Sequence, residues 1–243
     1  MYKNYKDIIN DSLLVEHGDI KRALIRAKII LEALSIEYSV ESLTLDIKAA
    51  SSKIIHQISK LPKKSNELRI NAIELSSQGR LGLTFCPGKK GPSQHGYYWD
   101  RNLSNDLKAI NEWQPDLVIS LLQDYEFELL GVKDLPNYMS KADFIWHQIP
   151  VYDVSPPGIE FDAVWPFIGA QALDLLKSGG KVLLHCRGGI GRTGTVAAIL
   201  LCMLGYEPQE AIDVVRDCRK GTIETNQQEQ YVLERGSTWA KQF

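Results

Sequence analysis

The sequence predicts an α/β fold in which a central, mostly parallel sheet is flanked by helices and preceded by a helical extension. From Leu68 onward, short apolar runs alternate with helical segments, a pattern typical of a largely parallel sheet. Residues 1–62 instead contain helical apolar stripes and no strand-like alternation. We therefore expect two regions, a helical N-terminal extension over 1–66 and an α/β domain over 67–243.

The N-terminal region contains two helical stripes, in which apolar side chains recur every three or four residues. The first stripe comprises Ile20, Leu24, Ala27, Leu31 and Leu34, and the second comprises Ile47, Ala50, Ile54, Ile58 and Leu61. The second stripe predicts a helix over 41–60, the first fifteen residues predict a weaker helix, and Pro62–Asn66 predicts a turn or linker. These helices present apolar faces without convergent polar chemistry, so we expect them to pack on the α/β domain, to self-associate with a second copy, or to dock a partner.

Five strands and six helices are predicted in the α/β domain. The strands are the short apolar runs Leu68–Ile73, Leu81–Phe85, Asp116–Leu121, Asp143–Ile149 and Lys181–His185. The helices are Ser104–Trp113, Glu126–Leu130, Phe161–Leu176, Thr193–Leu204, Pro208–Arg219 and Asn226–Ala240. Because ligands in such sheets bind beyond the carboxyl ends of the strands, the segments that follow these strands should surround one pocket.

The strongest chemical signal is His185–Gly194, where a cysteine, a glycine-rich loop and an arginine join the last strand to an apolar helix. The amides of such a loop converge, and the positive end of the helix dipole adds to them, so the segment predicts an anion site. Cys186 lies where these groups and Arg192 stabilise a thiolate. Arg192 offers a planar fork that can hold two oxygens of a phosphoryl group. The segment therefore predicts attack of Cys186 on a bound phosphate to form phosphocysteine.

The rest of this loop receives supporting roles. Thr193 is expected to donate its hydroxyl to the sulfur of Cys186 when the sulfur becomes the leaving group. The substrate-binding segment comprises Arg187, Gly188, Gly189, Ile190 and Gly191, whose glycines let the backbone approach a ligand closely. The segment lacks the Gly–Lys–Ser/Thr ending of a nucleotide-binding loop, and the cysteines lack metal-ligand spacing. We expect neither a metal nor a cofactor.

Asp153 is the candidate general acid, because it lies in the turn-rich segment Pro150–Gly158 that follows a predicted strand. A carboxylic acid on a movable loop can protonate the departing oxygen and later activate the water that hydrolyses phosphocysteine. Asp162, near the start of a predicted helix, is the weaker candidate.

Three further observations concern residues near these segments. His185 is interpreted as the residue that orients the nucleophile loop. The acidic cluster of Asp124, Glu126 and Glu128 is interpreted as a solvated helix start. The two cysteines of the last helices, Cys202 and Cys218, are expected to be core thiols.

The pattern His185–Cys186–x5–Arg192–Thr193–Gly194 resembles the signature loop of the cysteine-dependent protein tyrosine and dual-specificity phosphatases. The phrases Leu81–Lys90, Asp100–Leu103 and Asp106–Leu107 resemble the kinase-associated phosphatase branch of the dual-specificity family. The similarity runs from about Leu68 to the end of the chain. It implies a dual-specificity phosphatase fold, a cysteine-dependent phosphatase domain over 67–243 and a general acid in the loop of Asp153.

The segment Gly221–Gln230 resembles the late loop with which this family positions the hydrolytic water. Gln228 then matches the second glutamine of the family pattern, whereas Glu224 stands where a glutamine is often found. Both residues are equally compatible with caps of the last helix. Cys86 follows a strand expected beside that of Cys186, so it is either a reversible disulfide partner of the nucleophile or a small buried hydrophobe.

The predicted function is hydrolysis of phosphotyrosine, and of phosphoserine and phosphothreonine, in a phosphoprotein or phosphopeptide. Three alternatives use the same loop. A phosphoinositide phosphatase tends to carry lysines where this loop offers only Arg187. A phosphate-binding module is expected to lose the nucleophile or the acid, and an arsenate reductase needs resolving cysteines near Cys186.

Composition restricts the remaining classes. Hydrophobic content of 44% and charged content of 24% are ordinary for a globular protein, and a net charge of −2 gives no drive towards nucleic acid or anionic membrane. The first residues lack the apolar core of a signal peptide, and no run approaches the length of a membrane span. Four widely spaced cysteines indicate a reducing compartment. We expect a cytoplasmic protein whose partners are neither nucleic acid nor membrane.

Overall fold

The computed structural model describes residues 5–16, 20–33, 36–93 and 97–242. The chain divides into two compact units. The first unit comprises Met1–Asn66, Gly88–Leu103 and Glu128–Val132, and the second comprises Glu67–Pro87, Ser104–Phe127 and Lys133–Phe243. The domain division expected from the sequence, 1–66 and 67–243, stays a prediction. The compact units have other bounds, since two later segments also belong to the first unit.

The first unit begins with three helices, α1 (Tyr5–Val15), α2 (Ile20–Ala33) and α3 (Val40–Ser59). Each helix contacts the other two. Their buried side chains include Ala27, Leu31, Ile47 and Ile54, which belong to the predicted stripes. The helical prediction is confirmed over these ranges, while Leu34 and the side chain of Ile58 lie outside the described residues.

A small sheet completes the first unit. It contains β1 (Lys63–Lys64), β4 (Lys90–Pro92) and β5 (Tyr98–Asp100), in the order β1-β5-β4. Asp100 accepts hydrogen bonds from the ammonium groups of Lys63 and Lys90, at 2.9 and 3.3 Å. The prediction of a plain turn or linker over 62–66 is wrong at β1, because this two-residue strand pairs with residues far along the chain and has no local apolar alternation.

The second unit contains a five-stranded sheet with the order β2-β3-β8-β6-β7. Its strands are β2 (Asn71–Glu74), β3 (Arg80–Phe85), β6 (Leu117–Ser120), β7 (Ile145–Gln148) and β8 (Lys181–Cys186). Only β2, at one edge, is antiparallel to its neighbour; the other pairings are parallel. The predicted mostly parallel sheet is confirmed. In the register of this sheet, Phe85 pairs with Cys186 and Ser120 pairs with His185. The carboxyl ends of β3, β8 and β6 therefore lie side by side.

The later helices are α4 (Leu103–Trp113), α5 (Asp124–Leu129), α6 (Leu135–Met139), α7 (Ile159–Lys177), α8 (Gly191–Met203), α9 (Pro208–Cys218) and α10 (Asn226–Ala240). The sequence predicts all of these except the five-residue α6, whose single turn is too short for a period to emerge. Every residue of α8 is buried, which is the position expected for a helix that is apolar all round.

The interior of the second unit contains one of the two predicted core thiols. Cys202 is 1% exposed, and burial raises its pKa to about 11. Cys218 is only half-buried, although burial raises its pKa as well. Among the described residues, none of the helices combines the length and the apolar character that a membrane span requires.

Candidate active site

Cys186 ends β8, and its sulfur lies against the loop that follows. The backbone N–H of Gly189 donates a hydrogen bond to Cys186 Sγ over 3.2 Å. Gly189 has a φ of 66°, and a Cβ atom at this position would lie 2.3 Å from the carbonyl oxygen of Thr84. Only glycine lets the chain turn this closely over β3, and the turn directs a peptide dipole at the sulfur. The sulfur therefore faces a hydrogen-bond donor of the loop.

Helix α8 begins at Gly191, five residues after Cys186. In the described part of the chain, no side chain caps this helix at Ile190. The positive end of the helix dipole therefore adds to the loop amides and favours an anion beside Cys186.

Arg192 is 1% exposed and holds several segments together. Its Nη1 atom donates to the carbonyl oxygens of Leu121 and Val151, each at 3.0 Å. These carbonyls follow β6 and β7, so the guanidinium joins two strand ends to the start of α8. Its Nε atom is buried and has no hydrogen-bond partner among the described residues. That unused donor is available to an oxygen of a bound anion.

Glu126 is the main partner of this guanidinium. Its carboxylate oxygens accept hydrogen bonds from Arg192 Nη1 at 2.6 Å and from Nη2 at 2.9 Å. Burial alone would lower the pKa of Arg192, but the negative charges of Glu126 and Asp153 outweigh it and raise that pKa well above its ordinary value. The arginine stays charged.

The interpretation of the acidic cluster as a solvated helix start is therefore wrong for Glu126, which is fully buried. Asp124 and Glu128, two residues to either side, are exposed as expected. Glu126 also accepts a hydrogen bond from the backbone N–H of Gln123 at 2.9 Å. Carboxylates spaced two residues apart lie on different faces of a helical turn. Local spacing could not reveal which of the three faces a buried arginine.

Asp153 lies between two arginines. Its carboxylate accepts a hydrogen bond from Arg192 Nη2 at 3.0 Å and forms an ion pair with Arg187 Nη1 at 3.8 Å. The next residue, Val154, has a φ of 58°, which a β-branched residue seldom adopts. The structure thus brings Asp153, Arg187 and Arg192 together, as the sequence predicts for three of its site residues.

The weaker candidate acid, Asp162, is engaged elsewhere. It accepts hydrogen bonds from the hydroxyl of Tyr231 at 3.1 Å and from Arg235 at 2.9 Å. These contacts tie α7 to α10.

His185 belongs to a buried chain of polar groups that the sequence does not reveal. Its Nε2 atom lies 2.5 Å from the hydroxyl of Ser120, which accepts a hydrogen bond from Trp146 Nε1 at 2.8 Å. Burial lowers the pKa of His185 to about 4, so the ring is neutral near pH 7. Ser120 and Trp146 lie on strands β6 and β7, and the sequence pattern does not distinguish them from ordinary strand residues. The loop-orienting role of His185 stays a prediction.

Gln228 caps the last helix, one of the two roles compatible with its sequence. It completes a capping box with Thr225 at the start of α10, and its Oε1 also accepts a hydrogen bond from the N–H of Glu224 at 2.9 Å. Its Nε2 donates to the carbonyl oxygen of Ser155 at 3.1 Å, which ties the late loop to the segment of Asp153. A Cβ on Gly191 would lie 3.0 Å from a carboxylate oxygen of Glu224, so this acidic group sits beside the start of α8.

Two sequence predictions receive partial information. The Oγ1 atom of Thr193 is buried and has no hydrogen-bond partner in the described part of the chain, so its donation to the sulfur stays a prediction. Cys86 is buried, and its N–H donates to the carbonyl oxygen of Arg187 at 3.4 Å. The disulfide between Cys86 and Cys186 also stays a prediction, since both residues are thiols here.

Arg219, at the end of α9, is a site residue that sequence reasoning missed. It donates to the carbonyl oxygens of Gly188 and Gly189 in the nucleophile loop. A basic residue at a helix C-terminus commonly interacts only with the helix dipole, so its position carries no specific signal. No cluster of three metal-ligating side chains occurs within residues 5–16, 20–33, 36–93 and 97–242.

Comparisons with known proteins agree on one family. The family model described as "PTP-SAK: Swiss Army Knife protein, DSP-PTPase phosphatase domain" matches residues 135–232. The chain is 32% identical over 157 residues to cyclin-dependent kinase inhibitor 3 of Rattus norvegicus, covering 63% of this chain and 70% of the rat protein. It is 40% identical over 63 residues to the tyrosine-protein phosphatase CDC14 of Saccharomyces cerevisiae, covering 26% of this chain and 11% of that protein. A solved structure of kinase associated phosphatase, with serine substituted for its catalytic cysteine, matches with a TM-score of 0.62 and 28% identity over 72% of this chain and 97% of that chain.

Proposed function

This chain belongs to the dual-specificity protein phosphatase family, and from that premise we propose that Cys186, Arg192 and Asp153 hydrolyse phosphotyrosine, phosphoserine and phosphothreonine in proteins. The observation that carries the proposal is the hydrogen bond from the N–H of Gly189 to Cys186 Sγ. It directs a donor at the sulfur at the start of a loop whose other end carries a buried, charged arginine.

In the first step, the thiolate of Cys186 attacks the phosphorus atom of the substrate. A sulfur–phosphorus bond forms while the phosphorus–oxygen bond to the substrate breaks, and Asp153 gives its proton to the departing oxygen. The loop amides and Arg192 Nε hold the equatorial oxygens, where negative charge is spread during transfer. The products are phosphocysteine and the dephosphorylated side chain.

Before this step, Asp153 has to leave its present partner. Its carboxylate accepts a hydrogen bond from Arg192 Nη2, a donor that an anionic phosphoryl group would also use. A bound phosphoryl group competes for that donor and releases Asp153, whose carboxylate takes up a proton from solvent before it faces the leaving oxygen as the general acid.

In the second step, water attacks phosphocysteine. Asp153 accepts a proton from this water, the sulfur–phosphorus bond breaks, and inorganic phosphate departs while the thiolate of Cys186 is regenerated. We infer that Thr193 donates a hydrogen bond from its buried hydroxyl to the departing sulfur, since that hydroxyl has no other partner in the described part of the chain. Gln228 supports the step indirectly, through its hydrogen bond to Ser155 in the segment of the acid.

The phosphoinositide alternative is less well supported. Arg187 is the one basic side chain between Cys186 and Arg192, and it pairs with Asp153 at 3.8 Å. Additional ring phosphates would need further cations in the loop. The binding-module alternative loses weight because the nucleophile and the acid are both present, and the arsenate reductase alternative depends on Cys86 alone as a resolving thiol.

The decisive experiment replaces Cys186→Ser in the full chain. We expect turnover of p-nitrophenyl phosphate and of a phosphotyrosyl peptide to be abolished, while phosphate binding measured by calorimetry persists. Cys218→Ser, which changes a half-buried thiol of α9, is the matched control and should keep its activity. Retention of turnover by Cys186→Ser would overturn the proposal, and a preference for soluble phosphoinositide headgroups over both phosphopeptides would replace the substrate class.

We also propose that α1–α3 provide a surface for self-association or for docking of a phosphoprotein partner. Large apolar side chains are exposed on α2 and α3, with Ile25 47% and Leu45 68% accessible. Leu45→Asp should lower the mass measured by light scattering if the chain self-associates. If it instead lowers the rate on a protein substrate while p-nitrophenyl phosphate turnover is unchanged, the surface docks a partner, and no change in either contradicts the proposal.

A reducing, cytoplasmic location is part of this proposal, because a catalytic thiolate has to remain unoxidised. Fractionation of cells that produce the full chain tests it, and recovery in an oxidising compartment would contradict it.

A further inference from the structure

The outer face of the nucleophile loop is held by Arg219. Its Nε atom donates to the carbonyl oxygen of Gly189 at 2.6 Å, and its Nη2 atom donates to that of Gly188 at 3.2 Å. Two successive carbonyl groups of the loop therefore point to one guanidinium.

The orientation of these carbonyls determines the orientation of the next two amides. A peptide unit is planar and trans, so its C=O and its N–H point in opposite directions. When the carbonyl of Gly188 faces Arg219, the N–H of Gly189 faces the opposite side, and it indeed donates to Cys186 Sγ. By the same geometry, the carbonyl of Gly189 directs the N–H of Ile190 away from Arg219.

Arg219 is itself held in place. Asn71, on the edge strand β2, accepts a hydrogen bond from Arg219 Nη1 at 2.9 Å and donates one to the carbonyl of Cys218 at 2.9 Å. The guanidinium also lies over the ring of Phe85, 6.0 Å from its centre. All three nitrogens of the guanidinium are thus engaged, which leaves it one orientation.

Partial burial of the Arg219 guanidinium costs solvation free energy, which its hydrogen bonds to the loop carbonyls offset. Burial lowers the pKa of this arginine, although the nearby Cys186 and Cys218 thiols oppose the effect when ionised. Neither of the two loop carbonyl groups carries a full negative charge. The half-buried guanidinium therefore faces mainly neutral carbonyl groups, with Asn71 as its side-chain partner.

We propose that Arg219 is a positioning residue that holds the peptide units after Gly188 and Gly189 with their N–H groups directed at the sulfur and at the bound phosphoryl group. This inference rests on the function proposed above. Arg219 touches neither the substrate nor the reacting atoms, and it acts through the two amides that it orients.

The test compares Arg219→Met and Arg219→Lys in the full chain. Arg219→Met keeps the aliphatic stem but removes both hydrogen bonds, and we expect vanadate to inhibit it about tenfold or more weakly, with KM raised by a similar factor. The pH profile of Cys186 alkylation by iodoacetamide should also move to higher pH. Arg219→Lys keeps the charge but presents one ammonium to two carbonyls, so it should recover only part of the loss.

Two further variants separate positioning from general stability. Asn71→Ala removes a support of Arg219 without touching the loop, and it should change vanadate inhibition in the same direction by a smaller factor. It also tests the inference if Arg219→Met fails to fold. Arg235→Met, which removes a partly exposed ion pair between α7 and α10, should leave vanadate inhibition unchanged.

Three results would overturn the inference. They are unchanged vanadate inhibition in Arg219→Met, full recovery in Arg219→Lys, which would mean that charge alone matters, and unchanged vanadate inhibition in Asn71→Ala. None of them affects the proposed function, which stands or falls with the turnover of Cys186→Ser. The two failures are therefore distinguishable.

Discussion

Arg192 and Glu126 form a two-pronged ion pair inside the second unit, with both carboxylate oxygens accepting hydrogen bonds from the same guanidinium. Both side chains are almost completely removed from solvent. The pair determines where the guanidinium stands, and it leaves Nε unused for a phosphoryl oxygen. Glu126 therefore prepares the arginine for an anion that it does not itself contact.

Removal of this carboxylate charge should be costly. Glu126→Gln leaves the buried guanidinium without its main counter-charge, and losing one partner of a buried pair commonly costs about 3–5 kcal/mol of stability. We expect a lower urea midpoint and a reduced kcat/KM for p-nitrophenyl phosphate. Glu128→Gln, on the exposed side of the same short helix, should resemble the unmodified protein. Equal stability of the two variants would show that the pair contributes nothing.

Asp153→Asn should separate substrates by their leaving groups. The variant cannot supply a proton, so phosphoserine and phosphothreonine peptides, whose alkoxides leave poorly, should slow by roughly 10²–10⁴-fold. An activated aryl phosphate needs little protonation and should slow far less. Asp162→Asn, whose parent side chain bonds to Tyr231 and Arg235, is the control and should affect both substrates alike. A uniform loss in Asp153→Asn would mean that the acid lies elsewhere.

Two neighbouring glycines should respond differently to alanine. Gly189 has a positive φ, and an added Cβ would overlap the backbone of Thr84, whereas a Cβ on Gly188 would meet only Ile190 at 3.9 Å. We expect Gly189→Ala to lose on the order of 2 kcal/mol or more, together with phosphatase activity. Gly188→Ala should remain close to the unmodified protein in melting temperature. Similar melting temperatures for both variants would contradict the described turn.

His185 should make stability depend on pH in a defined window. Its folded pKa of about 4 lies below its ordinary value of 6.5, so between these values the unfolded chain binds more protons. This contribution to stability is complete above pH 6.5, falls as the pH drops towards 4, and amounts to roughly 2 kcal/mol between pH 7 and pH 5. Urea unfolding at both pH values should show a smaller loss in His185→Asn. Nuclear magnetic resonance should show His185 neutral at pH 5, and titration near 6.5 would contradict the prediction.

Much of the fold could be predicted because its signals are local. The strands β3, β6 and β8 are apolar runs bounded by turn residues, and α8 is an apolar helix directly after a glycine-rich loop. The strands β1, β4 and β5 and the helix α6 escaped prediction because two to five residues are too few to display a period. Strand β1 also depends on pairing with Tyr98 and Trp99, which lie far along the chain.

The candidate site divides in the same way. Cys186 and Arg192 lie at the two ends of one short loop, so their spacing in the sequence is sufficient to predict their chemistry. Glu126 belongs to a charge pattern that equally suits a solvated turn, so the sequence alone leads to the wrong interpretation of this residue. Ser120 and Arg219 bear no local signal, since each acts through a residue to which only the sheet or the helix packing brings it.

The sequence by itself determined the chemistry proposed for this protein, because the candidate nucleophile, the amide cradle and the candidate phosphate-binding arginine follow one another along a single strand–loop–helix segment. Only the tertiary structure decided which groups fix the positions of the loop and of Arg192. Glu126 lies 66 residues from Arg192, and Arg219 lies 30 residues from Gly189. The packing of strands and helices determines these contacts. It brings together groups that are far apart in the sequence, so no local sequence pattern predicts them.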